Sequence, residues 1–437
     1  MVIKVRKKSI QVSMIYIMIF MPFIIPFLTQ VLHLPGFIKY IMDFAGIILF
    51  FFLLRDFSKL INSQSKKIFF YWIFVFFFFE LFNYFLNYQS IFYFLWGTRN
   101  NFRGYILFLA VILYCKQIDI QDVFGTMNKL FYLNTIIMFL QYLVFGYKQD
   151  NLGGLFGVES GCNAYINIFF CICLVISSIL FFNKKIGVRK FIIELFFMLV
   201  LAAMAELKFF YVEFFIILFL AYVITDFSWK KILLIIPLCI VVFIGYKVFF
   251  LVFPDIDLSI TGMMEYAMSD KGYTASGDFN RLNFINTVNS NYLKTSWKQL
   301  TGLGLGNCDY ATGVSVVTSP FSLQYGWTHY TWVSTIFMYL ECGYLGLLFL
   351  FGFFVLIILK VIRKMKLSRI DIDLNQITIL CGIIAILNGF YNISMRLDAS
   401  FMLYFMLAVP WISQPIVHKK EINNTSSNDN ESEKIRR

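Results

Sequence analysis

Long uncharged runs of apolar residues constrain this chain more than any motif does. Residues 163–183 (NAYINIFFCICLVISSILFFN) carry no charge, and 344–362 carry only Lys360. A helix that crosses a bilayer needs about 20 mostly apolar residues. On that rule, helices are expected near 10–30, 38–54, 68–86, 104–116, 129–147, 163–183, 190–206, 209–226, 231–252, 344–362, 376–393 and 398–413. Composition agrees: 59% of the 437 residues are hydrophobic and only 14% are charged, against about 25% charged in soluble domains. Fifty-five Phe residues need an apolar solvent rather than a core. The expected fold class is an all-α polytopic membrane protein of about 12 transmembrane helices, with one large external loop containing short helices.

The net charge of +12 would suggest nucleic acid on a soluble protein. On a membrane protein it must first be sorted by side, because cytoplasmic connections concentrate Lys and Arg. With the N-terminus inside, the cytoplasmic segments collect 26 of the 37 basic residues. They include Arg55, Lys59, Lys66 and Lys67, then Lys184, Lys185, Arg189 and Lys190, then Arg363, Lys364, Lys366 and Arg369. Lys4-Val5-Arg6-Lys7-Lys8 precedes a run too long for a cleaved signal peptide and without an Ala-x-Ala site, so it reads as an uncleaved first helix. The expected location is the cytoplasmic (inner) membrane, multi-pass, with both termini cytoplasmic and no nucleic-acid partner. Residues 1–252 form an N-terminal membrane bundle, 253–343 the external loop, 344–413 the C-terminal membrane helices and 414–437 a disordered cytoplasmic tail.

The exceptions to this sorting carry the functional information. Arg99, Arg103, Lys208, Arg281 and Arg396 come from separate parts of the chain to the outer face, in external segments. Arginine forks bind phosphate in two-point fashion and Lys acts as a point charge. The bland alternative is pairing with an acid such as Glu206 or Asp398, or with a lipid headgroup. Asp43, Glu80, Glu194 and Glu213 lie within apolar runs, where a charge costs about 2.5–3.5 kcal/mol on insertion scales. They should face the bundle interior, as structural partners or as an ion pathway. The cysteines mostly fall in apolar runs; Cys171 and Cys173 have no metal-ligand spacing, while Cys308 and Cys342 could pair.

Within the loop, the stretch from Asp278 (DFNRLNFINTVNSNYLKTSWKQL) reads as an amphipathic helix. Leu282, Ile285, Val288, Tyr292 and Leu300 lie on one face, Asp278 is the N-cap and Arg281 is in the first turn. Gly302, Gly304 and Gly306 then alternate in TGLGLGN. No Gly-Lys-Ser/Thr follows, so this is not a nucleotide loop; the glycines permit tight turns and could bring backbone N–H groups to a phosphate. A second helical pattern starts near His329 and ends at Gly343. His329 sits in GWTHYTW, where an imidazole can accept a hydroxyl proton at neutral pH and aromatic neighbours could stack on sugars.

The order of these features resembles the O-antigen polymerase and O-antigen ligase superfamily. The resemblance rests on residues 281–352: an Arg helix, LTGLGLGN, then His, an apolar helix, Glu341-Cys342-Gly343 and Leu-Gly-Leu. A second patch, Gly153–Gly157 with Asn163, is similar to a Gly-Phe and Asn segment of the family. Lys208 stands where relatives carry a basic residue, often Arg, and Tyr330 replaces the usual Asn after the His. The resemblance implies glycosyl transfer without a metal or other cofactor, outside the cytoplasmic membrane, from an undecaprenyl-diphosphate-linked oligosaccharide. A flippase and a chain-length regulator would be partners, alongside membrane lipid. His329 and Arg281 would be catalytic, with Arg99, Arg103, Lys208 and Arg396 holding the diphosphate leaving group. Gly302, Gly304, Gly306, Glu341 and Gly343 would shape the loop. The favoured expectation is a polymerase of O-antigen or capsular repeat units. The alternatives are a ligase acting on lipid A–core and, in another class, a flippase or transporter of lipid-linked oligosaccharide.

Overall fold

The structure, a computed structural model, describes residues 8–226, 243, 247, 273, 277–311, 314–368 and 370–412. Apart from single residues 243, 247 and 273, the expected helix at 231–252 and the first part of the loop lie outside the described residues, as do residues 1–7 and the tail with His418.

Helices α1 (Ile10–Pro26), α2 (Ile41–Arg55), α3 (Phe57–Ile61), α4 (Lys67–Leu86), α5 (Ile91–Tyr114), α6 (Gln117–Leu143), α7 (Asn163–Phe182), α8 (Val188–Met204) and α9 (Lys208–Ile224) form the first part of the bundle. Three short helices follow, α10 (Phe284–Asn291), α11 (Ser296–Thr301) and α12 (Pro320–Tyr325), then α13 (Ser334–Leu367), α14 (Ile372–Tyr391) and α15 (Ser400–Ala408). Among the described residues, seven segments are long and apolar enough to cross a membrane: Ile10–Val31, Gly36–Arg55, Lys67–Leu86, Gln117–Leu143, Asn163–Phe182, Ser334–Leu367 and Ile372–Tyr391. The chain is a helical membrane-spanning protein. Its outward surface fits that medium, since Phe44, Phe51, Phe82 and Phe85 each stand more than half exposed. The centre of the bundle is α7, with 78% of its most apolar stretch buried against 28% for α2 and α4.

Side-chain contacts separate the two ends of the bundle. At one end Asp56 meets Arg55, Lys59 and Tyr114, Lys66 donates to the Ile112 carbonyl, Lys364 donates to the Pro410 carbonyl, and Lys185 pairs with Asp373. These are the basic connections that the sequence assigns to a single side. Arg99, Arg103, Lys208, Arg281 and Arg396 all lie toward the other end.

Three local expectations need correction. The short helix expected at 104–116 begins at Ile91, so Arg99 and Arg103 lie inside α5 rather than in a connection. Asp43 of the neighbouring α2 pairs with both and Asp398 with Arg103, which lets a helix carry them at that depth. The amphipathic helix expected from Asp278 starts at Phe284 with Asn283 as its N-cap, and the chain between α10 and α11 is not helical. Asp278 is drawn to a different partner, described below. The helix expected from His329 begins only at Ser334, after two 3₁₀ turns; it breaks at Gly343, where the sequence ends it, and resumes into the bundle.

The loop carries its own small core of Phe279, Phe284, Val288, Leu293, Cys308, Tyr330, Val333, Ile336, Phe337, Tyr339 and Leu340. It is built onto the first turns of α13. Cys308 and Cys342 are buried free thiols and do not pair. Glu80, Glu194 and Glu213 are buried; Glu213 accepts from Asn167 and Asn388, and Glu194 from Tyr132 and Ser177.

Candidate functional site

The glycine loop is clamped between α11 and a break in α13. Gly302 and Gly343 both have positive φ (76° and 61°), and their backbones pass so closely that a Cβ on Gly302 would strike the Glu341 backbone, and one on Gly343 that of Leu300. Leu303 N–H donates to the Leu340 carbonyl (2.9 Å) and Gly304 N–H to that of Glu341 (2.8 Å). The side chain of Glu341 turns back into the loop, where Oε1 accepts from Gly306 N–H (2.9 Å) and Cys308 N–H (3.4 Å). The N–H groups of Gly304 and Gly306, which the sequence left open to a phosphate, are therefore already taken by Glu341.

From Glu341 an ion network crosses the bundle. Arg396 Nη1 donates to Glu341 Oε2 (2.8 Å), and its Nη2 reaches both oxygens of Asp309 (3.1 and 3.3 Å). The guanidinium also lies 3.6 Å from the Phe337 ring centroid. Asp309 accepts from Asn100 (3.1 Å), and Asn100 accepts from Arg99 (2.6 Å). Arg99 forks onto Asp43 (2.9 and 2.6 Å), and Arg103 bridges Asp43 (3.2 Å) to Asp398 (2.6 Å). Three guanidiniums thus face four carboxylates, drawn from α2, α5, the glycine loop, α13 and the 392–399 connection. Burial pushes the Asp309 carboxyl up, against the opposing pull of Arg396. Burial alone would lower Arg396, but Glu341 and Asp309 more than offset it and hold the guanidinium charged.

A second cluster is open to solvent. His329 has φ 52° between the turns Gly326–Thr328 and Tyr330–Trp332. Its Nδ1 lies 2.5 Å from Asp278 Oδ1, and its side chain is 41% exposed. The imidazole stacks on Trp332 with centroids 3.9 Å apart and planes at 10°. A carboxylate on Nδ1 selects the tautomer in which Nε2 is the acceptor.

Arg281, three residues after Asp278, lies over the Tyr391 ring at 4.7 Å. Tyr391 stacks on Phe209 (4.6 Å, 22°), next in sequence to Lys208, which pairs with Glu206 at 2.8 Å. Arg281 thus lies over one ring of the pair and Lys208 adjoins the other in sequence, whereas Arg99, Arg103 and Arg396 belong to the buried network. The Gly153–Gly157 patch is a packed plug: Gly154 exchanges hydrogen bonds with Gln141, Leu155 N–H donates to Asn134, and Val158 N–H donates to Gln30. Asn163 donates to Asp150.

Sequence reasoning missed Asp278 as the partner of His329, because the amphipathic pattern made it a cap. It also passed over Asp309 and Asn100, which carry no spacing signal, and Tyr391 and Phe209, which look like ordinary helix-end aromatics. Asp43 and Asp398 were visible as an acid in an apolar run and a candidate partner. Among the described residues no three His, Cys, Asp or Glu side chains are grouped to hold a metal ion.

Fold and site together define the class: a helical membrane protein with a buried ion network and an open His–Asp pair at one end. No known family profile, curated protein or solved structure matches the chain.

Proposed function

We propose that the protein is a membrane-embedded glycosyltransferase that polymerises lipid-linked oligosaccharide repeat units. In this reading the chain has twelve spans with both termini cytoplasmic, and the His329 end faces outward. The observation that carries the proposal is the Asp278–His329 pair. An imidazole oriented through Nδ1 by a carboxylate, with Nε2 left to accept, is the arrangement a general base requires. The acceptor hydroxyl attacks the anomeric carbon of the donor glycan and gives its proton to His329 Nε2. The bond from that carbon to the diphosphate oxygen breaks, and its electron pair leaves on undecaprenyl diphosphate. Cations must meet the charge that develops there, and Arg281 and Lys208 are the best suited. Lys208, paired with Glu206, would exchange a carboxylate for a phosphate, as would the more deeply buried Arg103 and Arg396 and the partly buried Arg99.

The ion network favours one second reading. Charges buried among helices are what a flippase of lipid-linked oligosaccharide would carry. That reading leaves the Asp278–His329 pair without a task, so polymerase is preferred. The test is reconstitution in proteoliposomes with lipid-linked oligosaccharide from the native host. A ladder of repeat lengths with release of undecaprenyl diphosphate is expected. Movement of the lipid across the bilayer without a ladder would establish the flippase instead, and transfer only on addition of lipid A–core would establish the ligase. Leu323, 74% exposed on the loop domain, gives the sidedness check: Leu323→Cys should react with an impermeant maleimide from outside the cell.

A further inference from the structure

Trp332 is 52% exposed although one face of its indole is covered by the His329 imidazole. The open area is therefore the opposite face and the edges of the ring. An exposed Trp beside a membrane usually suggests lipid. Here Asp278 pairs with the stacked imidazole, and both are partly solvent-exposed, at 25% and 41%. Acyl chains would desolvate that pair without offering it a hydrogen bond, whereas a glycan brings hydroxyls to it. The C–H face of a pyranose also complements the negative face of an indole.

We infer that Trp332 is a sugar platform, and that it holds the acceptor residue next to the reacting one. The inference rests on the proposed transferase reading. It follows from the stacking order of imidazole, indole and sugar. A sugar on the open face lies about two stacking distances from the imidazole plane, roughly 8 Å by doubling the observed 3.9 Å. General-base contact needs about 2.6–3.2 Å, so that sugar cannot surrender its own proton to His329. The neighbouring residue of the glycan, bending past the indole edge, can. Trp332 is then a positioning residue that makes the site select acceptors of two or more sugars.

The full-length protein in lipid nanodiscs is titrated with the free repeat-unit oligosaccharide, released by mild acid from the host lipid-linked pool, while tryptophan fluorescence is read. The wild-type signal minus that of Trp332→Phe isolates this ring. A saturable change is expected in the difference, with Trp297→Phe as an exposed control that leaves the change intact. In the polymerisation assay Trp332→Ala should raise the acceptor KM about tenfold with kcat within about threefold, and Trp332→Phe should stay near wild type. A fall in kcat at unchanged KM would mean that Trp332 acts only by supporting the imidazole, and would overturn the platform. So would quenching of the Trp332 signal by brominated lipid without any response to glycan. If glycan binding depends on Trp332 but no polymer forms, the polymerase reading fails and the platform stands. If polymer forms and Trp332→Ala changes nothing, the platform fails alone.

Discussion

The buried network around Arg396 and the open cluster around His329 lie toward the same end of the bundle and use similar side chains for different ends. In the network, Glu341 accepts from two backbone N–H groups and from Arg396, and Asp309 accepts from Arg396 and Asn100. Arg103 Nε and Asp398 Oδ1 are the exceptions among the described residues of the network, both buried without a hydrogen-bond partner, although Oδ1 keeps its ion pair with Arg103. An incoming phosphate would have to displace carboxylates that already sit in good geometry. At the open cluster, one imidazole nitrogen is fixed by Asp278 and a large part of the ring meets solvent. Saturated charges fasten the glycine loop, α5 and the 392–399 connection together, and the partly satisfied ones are left for chemistry. Charge location alone does not distinguish the two roles; the inventory of partners does.

The largest effect should come from the open cluster. His329→Ala should lower polymerisation by about 10²–10⁴-fold, the usual contribution of a positioned base. Asp278→Asn should fall in the same direction, because an amide can no longer select the tautomer. Both variants should insert normally and unfold at the wild-type temperature, read by scanning fluorimetry in detergent. Normal polymer length in either would remove the site assignment. Next is Arg396→Met, which strands Glu341 and Asp309 and should destabilise the protein by roughly 3–5 kcal/mol. Adding Glu341→Gln and Asp309→Asn should restore most of that loss, since neutral amides remove the uncompensated charge. If Arg396→Met instead unfolds normally and abolishes polymerisation, the network is part of the site and the contrast between the clusters collapses.

How far the sequence could reach follows the same division. Some helix positions were legible because apolar length is a local property: Lys67–Leu86 and Asn163–Phe182 fall within a residue of where hydropathy puts them. The helix expected at 129–147 instead runs over Gln117–Leu143, because polar residues extend its start. The gathering of basic connections at one end of the bundle was legible because each connection displays its own Lys and Arg. At α5 the reading failed, because Arg99 and Arg103 interrupt the apolar run and Asp43, the partner that permits them, lies far away in sequence. Gly302 and Gly343 could be picked out as turn formers. Their interlocking could not, since it depends on α11 meeting α13. Among the site residues, His329 and Arg281 stood out by type and place. Asp278 did not, because choosing between a helix cap and a histidine partner needs tertiary contact over fifty residues.

The smallest effect is the most discriminating, and it concerns Lys208. Its pair with Glu206 is 46% and 23% exposed, so it should contribute at most about 1 kcal/mol to folding. Lys208→Met should leave the unfolding temperature almost unchanged. If Lys208 meets the departing diphosphate, the same substitution should raise the donor KM about three- to tenfold, and the difference from wild type should shrink as salt is raised, as for any partly exposed charge. Glu206→Gln supplies the opposite arm. It removes one carboxylate from beside the ammonium, so donor binding should tighten slightly if the lysine serves the diphosphate and stay the same if the pair is only structural. A donor KM that ignores both substitutions would place Lys208 with the saturated charges and leave Arg281 as the cation on which the leaving group depends.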